Sequence, residues 1–243
     1  MRYYLTSAAI NFEDRLLIKE NGFIDDLKSN LKNPCSFLFV ANNPENIEMT
    51  EKYAGELKNA LEIEGIRVNV FNILDNRNKE KVEELVLGAD LIFLAGGHVP
   101  TQNKFFHDIS LKLYIDKYEG VLMSCSAGSM NSATKVYSIP EHDGEVIDKK
   151  YDRNLVGLGI TDVQILPHFQ FLKEEKVDGY KMIEDIAKSD SMGKIFYCLD
   201  DGSYVLGIRN KGEVIRGEAY ILSDGNLKKI CNLDEEYLVK GEL

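Results

Sequence analysis

The sequence predicts an α/β fold with a doubly wound, mostly parallel sheet and antiparallel hairpins near the C-terminal end. Three observations lead to this prediction. Strand-like and helix-like segments alternate five times over about the first 135 residues, as is typical of parallel strands joined by right-handed crossovers. The strand segments include continuous apolar runs such as residues 36–40, which suit strands covered on both faces. Beyond residue 203, short strand-like runs are separated by turns at residues 210–212 and 223–225.

The first half of the chain supplies the alternating elements. Apolar runs predict strands at residues 3–6, 36–40, 67–71, 90–94 and 121–125. Apolar residues at helical spacing, with capping signals, predict helices at residues 11–31 (broken at Asn21-Gly22), 42–64, 79–87 and 101–118. This class of sheet places its sites outside the carboxyl ends of the strands.

The pattern changes after Val136. Residues 138–154 are polar and have no clear period, which predicts a loop that could cross a site. Strand-like runs follow at residues 155–160, 163–166 and 195–199, and residues 174–188 are predicted to form an amphipathic helix. Because no repeat or Pro-rich linker interrupts the chain, residues 1–243 are predicted to form a single domain.

Charge and composition limit the classes of partner. Lys and Arg total 29 against 40 Asp and Glu, for a net charge of -11. Clustered cations favour binding to nucleic acids and to anionic membranes, so neither is expected as a partner of this acidic chain. No apolar run approaches the roughly 20 residues that span a bilayer, and no signal peptide precedes the first strand. The four cysteines have no metal-binding spacing; we expect a cytoplasmic protein, with a homodimer as a candidate assembly.

The segment from Val121 to Asn131 is the strongest candidate for chemistry. Apolar residues lead into Ser126-Ala127-Gly128 and then into a segment that can be helical. A serine on such a strand-to-helix turn has an exposed hydroxyl, as in a nucleophile elbow. The alternative is a tight turn whose small residues serve close packing.

A serine hydroxyl needs a base to take its proton, and histidine is the commonest base. His168 follows an apolar strand and a proline, which predicts that it lies at the same sheet edge as Ser126. His142 lies in the polar loop and is the second choice. His98 follows two glycines and is a candidate for contact with substrate, whereas His107 falls within a predicted helix.

A carboxylate should orient the imidazole and stabilise its charged form. Asp201 is preferred because it lies beside the turn that follows a buried strand, and Asp200 is close behind. Glu141 and Asp143 are weaker candidates. An Asp-Asp pair before a hairpin also occurs as ordinary turn chemistry.

Backbone N–H groups are the predicted oxyanion donors. Gly96-Gly97 has no side chain in the way, so the Gly97 N–H together with that of Ala127 could form an oxyanion hole. Asn131 is a further candidate for substrate contact. The glycines lack the spacing of dinucleotide and P-loop motifs, so neither a cofactor nor a metal is expected.

Cys125 is a rival nucleophile. A cysteine on the elbow of a class I glutamine amidotransferase is flanked by glycines two residues away on each side, but Cys125 has Met123 and Ala127 there. Ser126 has Ser124 and Gly128 at those places. The register therefore favours Ser126.

Four short motifs in order resemble peptidase family S51, which includes dipeptidase E and cyanophycinase. They are Leu94-Ala95-Gly96-Gly97, Ser124-Cys125-Ser126-Ala127-Gly128-Ser129, Leu166-Pro167-His168-Phe169 and Leu199-Asp200-Asp201-Gly202-Ser203. The resemblance implies a class I glutamine amidotransferase-like fold, a Ser126 nucleophile, a His168 base, oxyanion donors at Gly97 and Ala127, and an acid at Asp201.

The chain departs from the family pattern at several positions. His98 stands where Asn is common, Ser124 replaces the usual Gly, and Asp201 stands where cyanophycinase-like members have Glu. In dipeptidase E the acid has been assigned to an Asp that lies nearer the serine, so Asp143 also remains a candidate for the acid in this chain. Specificity for Asp-X dipeptides would need a cation, for which Arg153 and Lys135 are the candidates.

The resulting expectation is a serine peptidase that hydrolyses short peptides, with Asp-X dipeptides as the family's example. Two alternatives remain open. One is a catalytically inactive binding or regulatory protein on the same fold. The other is a Cys125-dependent acyl hydrolase of the amidotransferase type.

Overall fold

An eight-stranded mixed sheet forms the centre of the computed structural model, which describes residues 1–11 and 13–239. Its strand order is β16-β13-β12-β1-β5-β4-β2-β3. In chain order the strands of the molecule are β1 Arg2–Thr6, β2 Cys35–Val40, β3 Val68–Leu74, β4 Leu91–Leu94, β5 Val121–Cys125, β6 Lys135–Tyr137, β7 Asn154–Val156, β8 Gln164–Leu166, β9 Lys176–Val177, β10 Tyr180–Lys181, β11 Ile195–Leu199, β12 Tyr204–Ile208, β13 Glu213–Arg216, β14 Ala219–Ser223, β15 Asn226–Cys231 and β16 Glu236–Val239.

The helices lie mostly between the parallel strands of the first half. They are α1 Phe23–Asn30, α2 Ile47–Ile63, α3 Val82–Leu87, α4 Val99–Asp108, α5 Leu111–Ile115, α6 Ala127–Asn131, α7 Phe169–Leu172 and α8 Lys188–Asp190, with short 3₁₀ segments at Glu20–Gly22 and Lys79–Lys81 and a π-helix at Met182–Ala187. No helix within the described ranges is long and apolar enough to cross a membrane.

The parallel part of the central sheet comprises strands β1 to β5, and it is continued on one side by antiparallel strands β12, β13 and β16. Residues alternate between two apolar cores along these strands. Leu38 and Val40 point into one core, whereas Phe37 and Phe39 point into the other. Burial on both faces explains why the strands read as continuous apolar runs.

A second sheet of four strands, in the order β15-β14-β11-β8, is separate in its strand pairing but packs against the central sheet in one apolar core. Strands β8 and β11 run parallel, with Leu166 paired with Cys198, so the segments that follow them emerge side by side. The sequence placed β8 at the same sheet edge as Ser126. That expectation was wrong, because β8 pairs with β11 in this second sheet and not with any strand of the central one.

The C-terminal hairpins are present but divide between the two sheets. β12 and β13 form a hairpin in the central sheet, and β14 and β15 form one in the second sheet. The turns lie at the residues predicted, with Asn210 and Asp224 at positive φ. Antiparallel strands at this end of the chain are therefore confirmed.

Several predicted helices differ in extent. The helix expected at residues 101–118 is divided into α4 and α5 at Ser110, which has a φ of 52°. The helix expected at residues 174–188 is replaced by the small hairpin β9–β10 and the π-helix, because Asp178 and Gly179 adopt the positive φ values of a turn. Part of the helix expected at residues 11–31 is missing, and its residue 12 lies outside the described residues. Residues 138–153 form neither helix nor strand, as predicted.

Candidate active site

Ser126 occupies a strained turn between β5 and α6. Its φ and ψ are 48° and -118°, a conformation that a residue with a side chain rarely adopts. The Ser126 N–H donates to the carbonyl oxygens of Thr6 and Ser7, both at 3.1 Å. The turn is thereby tied to the end of β1, and Ser126 has the backbone of a nucleophile elbow.

Small residues around the turn are required by its close contacts. A Cβ atom on Gly128 would lie 2.3 Å from the carbonyl oxygen of Leu94, and one on Gly96 would lie 3.2 Å from the Cβ of Ser126. The Ser124 hydroxyl, where the family usually has Gly, is fully buried and lies 2.8 Å from that of Ser129. The hydroxyl that Ser124 adds in place of the usual Gly therefore has a hydrogen-bond partner inside the protein.

His168 follows β8 and is held by its backbone as well as by its ring. Its φ is 53°, and its N–H donates to the Ser7 hydroxyl at 2.7 Å. Its Nδ1 atom lies 2.7 Å from Oδ1 of Asp201. His168 and Asp201 are brought together because β8 and β11 are neighbours and each residue lies just beyond the end of its strand.

Asp201 is an ionised acceptor in this arrangement. Burial raises the pKa of its carboxyl group, but hydrogen bonds with His168, Ser7 and Gln170 outweigh that effect and leave the pKa below its ordinary value. Since an ionised carboxylate can only accept, the proton of the shared hydrogen bond belongs to Nδ1 of His168. Nε2 is then the ring nitrogen that is placed to accept a proton.

Ser7 connects the two sheets at this point and was not singled out as a site residue from the sequence. Its hydroxyl is fully buried, accepts from the His168 N–H, and lies 2.8 Å from Oδ1 of Asp201. It also lies 3.1 Å from the carbonyl oxygen of Leu199. The residue that follows β1 of the central sheet thus holds the histidine and the aspartate of the second sheet.

Comparison with known proteins identifies the family. The model of peptidase family S51 matches residues 14–215. The chain belongs to peptidase family S51. No curated protein matches it at a significant level.

Two solved structures are similar in fold to this S51 peptidase. One is a peptidase from an acI-B1 Actinobacterium, with a TM-score of 0.63 and 19% identity over 98% of this chain and 96% of that one. The other is a candidate peptidase E protein from Listeria monocytogenes EGD-e, with a TM-score of 0.61 and 17% identity over 88% of this chain and 97% of that one. The similarity confirms the predicted α/β fold class.

A cavity of about 370 Å³ opens beside the elbow of this peptidase. Ser126 and His168 both line it, so the two residues that the sequence proposed as nucleophile and base share one cavity. Its other lining residues include apolar and small side chains and two charged ones: Ala8, Ala9, Ile10, Arg15, Phe39, Tyr53, Leu57, Phe93, Ala95, Gly96, Gly97, Cys125 and Glu141.

The two charged residues of the cavity wall differ in origin. Arg15 comes from the segment after β1, at a φ of 59°, and no sequence motif pointed to it. Glu141 comes from the loop that was expected to cross the site. Burial, together with the carboxylates of Glu145 and Glu175, raises the pKa of Glu141 to about 8.

Gly97 lines the cavity in a conformation that favours glycine. Its φ is 139°, and a Cβ atom there would lie 2.5 Å from the side chain of Asn42. The Asn42 amide in turn donates to the His98 carbonyl oxygen at 3.1 Å. Ala127 is fully buried at the start of α6. The Ser126 N–H is occupied by the carbonyl oxygens of Thr6 and Ser7, so the predicted oxyanion donors at Gly97 and Ala127 remain a prediction.

The residues predicted to contact substrate do not line this cavity. Asn131 is fully buried, and its amide group donates to Val99 and Gln102 and accepts from Asn103. We therefore assign Asn131 to packing between α4 and α6. His98 lies next to Gly97 but is directed to Thr101 and Glu145.

The other histidines and the predicted cations also lie elsewhere. The ring of His142 packs against that of His98 with centroids 4.8 Å apart, and Nε2 of His107 lies 2.8 Å from the carbonyl oxygen of Val156. Arg153 pairs with Asp190 at 2.9 Å, and Lys135 is exposed on β6. Neither cation is among the cavity-lining residues.

The rival nucleophile and the rival acid have unsuitable environments. Burial raises the pKa of the Cys125 thiol to about 12, so it is a neutral thiol near pH 7. Burial also raises the pKa of Asp200, as do the nearby carboxylates of Glu218 and Asp201. The Oδ1 atom of Asp200 is buried without a hydrogen-bond partner among the described residues.

Proposed function

We propose that this peptidase is of the serine type and uses Ser126, His168 and Asp201 as a catalytic triad. The observation that carries the proposal is the 2.7 Å hydrogen bond between His168 and Asp201 beside a cavity that His168 shares with the strained Ser126. A serine nucleophile, a histidine base and an aspartate that orients the histidine are the three members of a serine-protease triad.

The first half of the reaction forms an acyl-enzyme. Nε2 of His168 removes the proton from the Ser126 hydroxyl as Oγ attacks the scissile carbonyl carbon. The negative oxygen of the tetrahedral intermediate accepts hydrogen bonds from the N–H groups of Gly97 and Ala127, and one such donor is typically worth about 3–4 kcal/mol of the barrier.

The imidazolium is then stabilised by the ionised Asp201 and gives its proton to the leaving amine. A water molecule, activated by the same nitrogen, attacks the ester and releases the acid product.

The cavity favours short peptides as substrates. Its volume of about 370 Å³ is near the lower end of ligand pockets, which span roughly 300–1,000 Å³. The wall carries one guanidinium, Arg15, and one carboxyl group, Glu141. A short peptide presents a carboxylate within a few ångströms of its scissile bond, and Arg15 can bind that group. Glu141, whose pKa is raised to about 8, is mostly protonated near pH 7 and acts as a neutral hydrogen-bond partner.

We further propose that Arg15 supplies the cation that an Asp-X dipeptide requires. A guanidinium binds a carboxylate through two parallel hydrogen bonds, which makes it selective for planar acids. Arg153 and Lys135, the cations considered from the sequence, do not line the cavity, whereas Arg15 does.

The direct test is Ser126→Ala assayed against a library of dipeptides. We expect turnover to fall by at least about 1,000-fold, because the residual rate without a nucleophile comes only from binding and the oxyanion donors. Cys125→Ala is the matched control and should retain activity. Unchanged turnover by Ser126→Ala would end the proposal, and loss in Cys125→Ala alone would favour the thiol mechanism.

A further inference from the structure

A cluster of two imidazoles and one carboxylate lies beside the cavity without lining it. It consists of His98, His142 and Glu145, whose ligand atoms all lie within 4.8 Å of one another. His98 comes from the turn before α4, whereas His142 and Glu145 come from the loop at residues 138–153. The cluster therefore joins two segments that are distant in sequence.

The His98 ring is already oriented as a metal ligand would be. Its Nδ1 lies 2.8 Å from the Thr101 hydroxyl, and its Nε2 lies 2.9 Å from Oε1 of Glu145. Outer hydrogen bonds of this kind hold the ring plane of a ligating histidine. The Thr101 contact thus leaves Nε2 as the nitrogen directed into the cluster.

Glu145 is held in the same way. Its Oε2 atom accepts the N–H groups of Glu141 at 2.8 Å and His142 at 3.1 Å, which leaves Oε1 to face the histidine. The Glu145 side chain is only 16% exposed. A carboxylate fixed by two backbone donors loses little conformational entropy on binding a cation.

The spacing suits a metal ion. Tetrahedral ligands bound at about 2.0–2.2 Å place donor atoms roughly 3.3–3.6 Å apart, and the His98 and Glu145 atoms, now hydrogen-bonded at 2.9 Å, need to separate by only about half an ångström. His142 is exposed, and its ring packs against that of His98 with centroids 4.8 Å apart and planes tilted by 37°. Its nearest ring nitrogen already lies within 4.8 Å of the other two ligand atoms, so a modest movement of the exposed ring would supply the third ligand.

We propose that His98, His142 and Glu145 form a zinc-binding site. Two imidazole nitrogens and one carboxylate oxygen suit Zn²⁺, whereas Ca²⁺ and Mg²⁺ prefer oxygen ligands alone. Water completes the fourth position. On binding, the proton on Nε2 of His98 moves to Nδ1, which then donates to the Thr101 hydroxyl, so the His98–Glu145 hydrogen bond is replaced by two metal bonds.

Zinc at this site clamps the rim of the cavity. His98 directly follows Gly97, and Glu145 holds the backbone N–H of Glu141; Gly97 and Glu141 both line the cavity. The ion would fix these two walls relative to each other. Because none of its ligands lines the cavity, its role is structural, and the site does not depend on the proposed peptidase activity.

The test is calorimetric titration of Zn²⁺ into the full-length protein after treatment with a chelator, with Co²⁺ as a spectroscopic probe. We expect saturable binding of one ion per chain, visible d–d absorption of the Co²⁺ form, and a rise in Tm with Zn²⁺. His142→Ala and Glu145→Gln should each lose at least about tenfold in affinity, the smallest effect expected when a metal site loses even an outer partner.

His107→Ala is the matched control, because His107 is an exposed histidine on α4 outside the cluster. It should bind as the wild type does. Circular dichroism verifies that each variant is folded, and the exposed His142→Ala keeps the test valid if Glu145→Gln is unstable. Absence of saturable binding to the wild type, or unchanged affinity in His142→Ala, would overturn the zinc site; equal losses in His107→Ala would do so too.

Discussion

Nδ1 of His168 lies 2.7 Å from Oδ1 of Asp201, although the two residues are 33 positions apart in the chain. The parallel pairing of β8 with β11 places them side by side, and the buried Ser7 hydroxyl ties both to the end of β1. The proposed base and acid are thus built on one sheet and the proposed nucleophile on another.

The acid is tested by Asp201→Asn. An amide at this position lets the His168 ring adopt the wrong tautomer and does not stabilise the imidazolium. We expect kcat to fall by about 10,000-fold, as when the acid of a serine-protease triad is replaced by its amide. Steady-state kinetics measures the change, and Asp200→Asn is the matched neighbour that should retain most activity. The reverse pattern would move the assignment to Asp200.

The positioning role of Ser7 is tested by Ser7→Ala. Removing the hydroxyl leaves the His168 N–H without its acceptor, which costs about 1–3 kcal/mol in the free energy of unfolding. Because a small misplacement of a catalytic group is costly, we also expect kcat to fall by roughly 10- to 100-fold with little change in KM. Ser7→Thr, which keeps the hydroxyl, should recover part of kcat.

Ser191→Ala is a suitable control for Ser7→Ala. Ser191 is also fully buried, and its hydroxyl donates to Lys188 and accepts from Gly225, neither of which is a triad residue. It should lose stability but keep kcat. If both variants lose kcat alike, Ser7 has no special role in positioning His168.

The raised pKa of Asp200 predicts a pH-dependent effect on stability. A carboxyl group whose folded-state pKa lies above its unfolded value of about 3.9 binds its proton more tightly when folded. Its contribution to stability is therefore fully present below about pH 3.9 and is lost as pH rises through the folded-state pKa. Asp200→Asn removes this loss, so we expect a higher free energy of unfolding than wild type near pH 7.

The increase in the free energy of unfolding that Asp200→Asn produces should become smaller as pH falls and disappear below about pH 3.9. Urea unfolding at several pH values measures it. Asp162→Asn, the same substitution at an exposed aspartate, provides the control for the chemical change itself. A gain for Asp200→Asn that is constant with pH would show that the charge of Asp200 is not responsible.

The recognition role of Arg15 is tested by Arg15→Gln. Loss of a charge-assisted hydrogen bond costs about 1.5–3 kcal/mol, so we expect kcat/KM for acidic dipeptides to fall roughly 10- to 100-fold. Neutral dipeptides should be affected much less. Arg153→Gln removes an arginine that pairs with Asp190 and should leave the preference unchanged. Equal losses for acidic and neutral substrates would contradict the role of Arg15.

Much of the fold was accessible from the sequence because its strands are buried on both faces. Continuous apolar runs such as that of β2 identified the parallel strands, and the Ser126-Ala127-Gly128 run identified the elbow. The sequence could not show that β8 and β11 leave the central sheet, since their apolar pattern is the same in either sheet. The pairing of strands is a long-range property that local periodicity does not carry.

The site residues that sequence reasoning missed have no local signal. Ser7 acts through a hydroxyl at the end of a strand, and Arg15 reaches the cavity from an irregular segment. Asn131 was a candidate for substrate contact, but its amide group is hydrogen-bonded to buried residues of α4.

The most direct measurement of the central claim is labelling with a fluorophosphonate, followed by mass spectrometry of the modified peptide. An activated serine reacts with this probe, whereas an unactivated hydroxyl does not. We predict a single adduct on Ser126 that is lost in Ser126→Ala and strongly slowed in His168→Ala, with Cys125→Ala labelled as in the wild type. No adduct on Ser126 at high probe concentration, or equal labelling in His168→Ala, would contradict the triad.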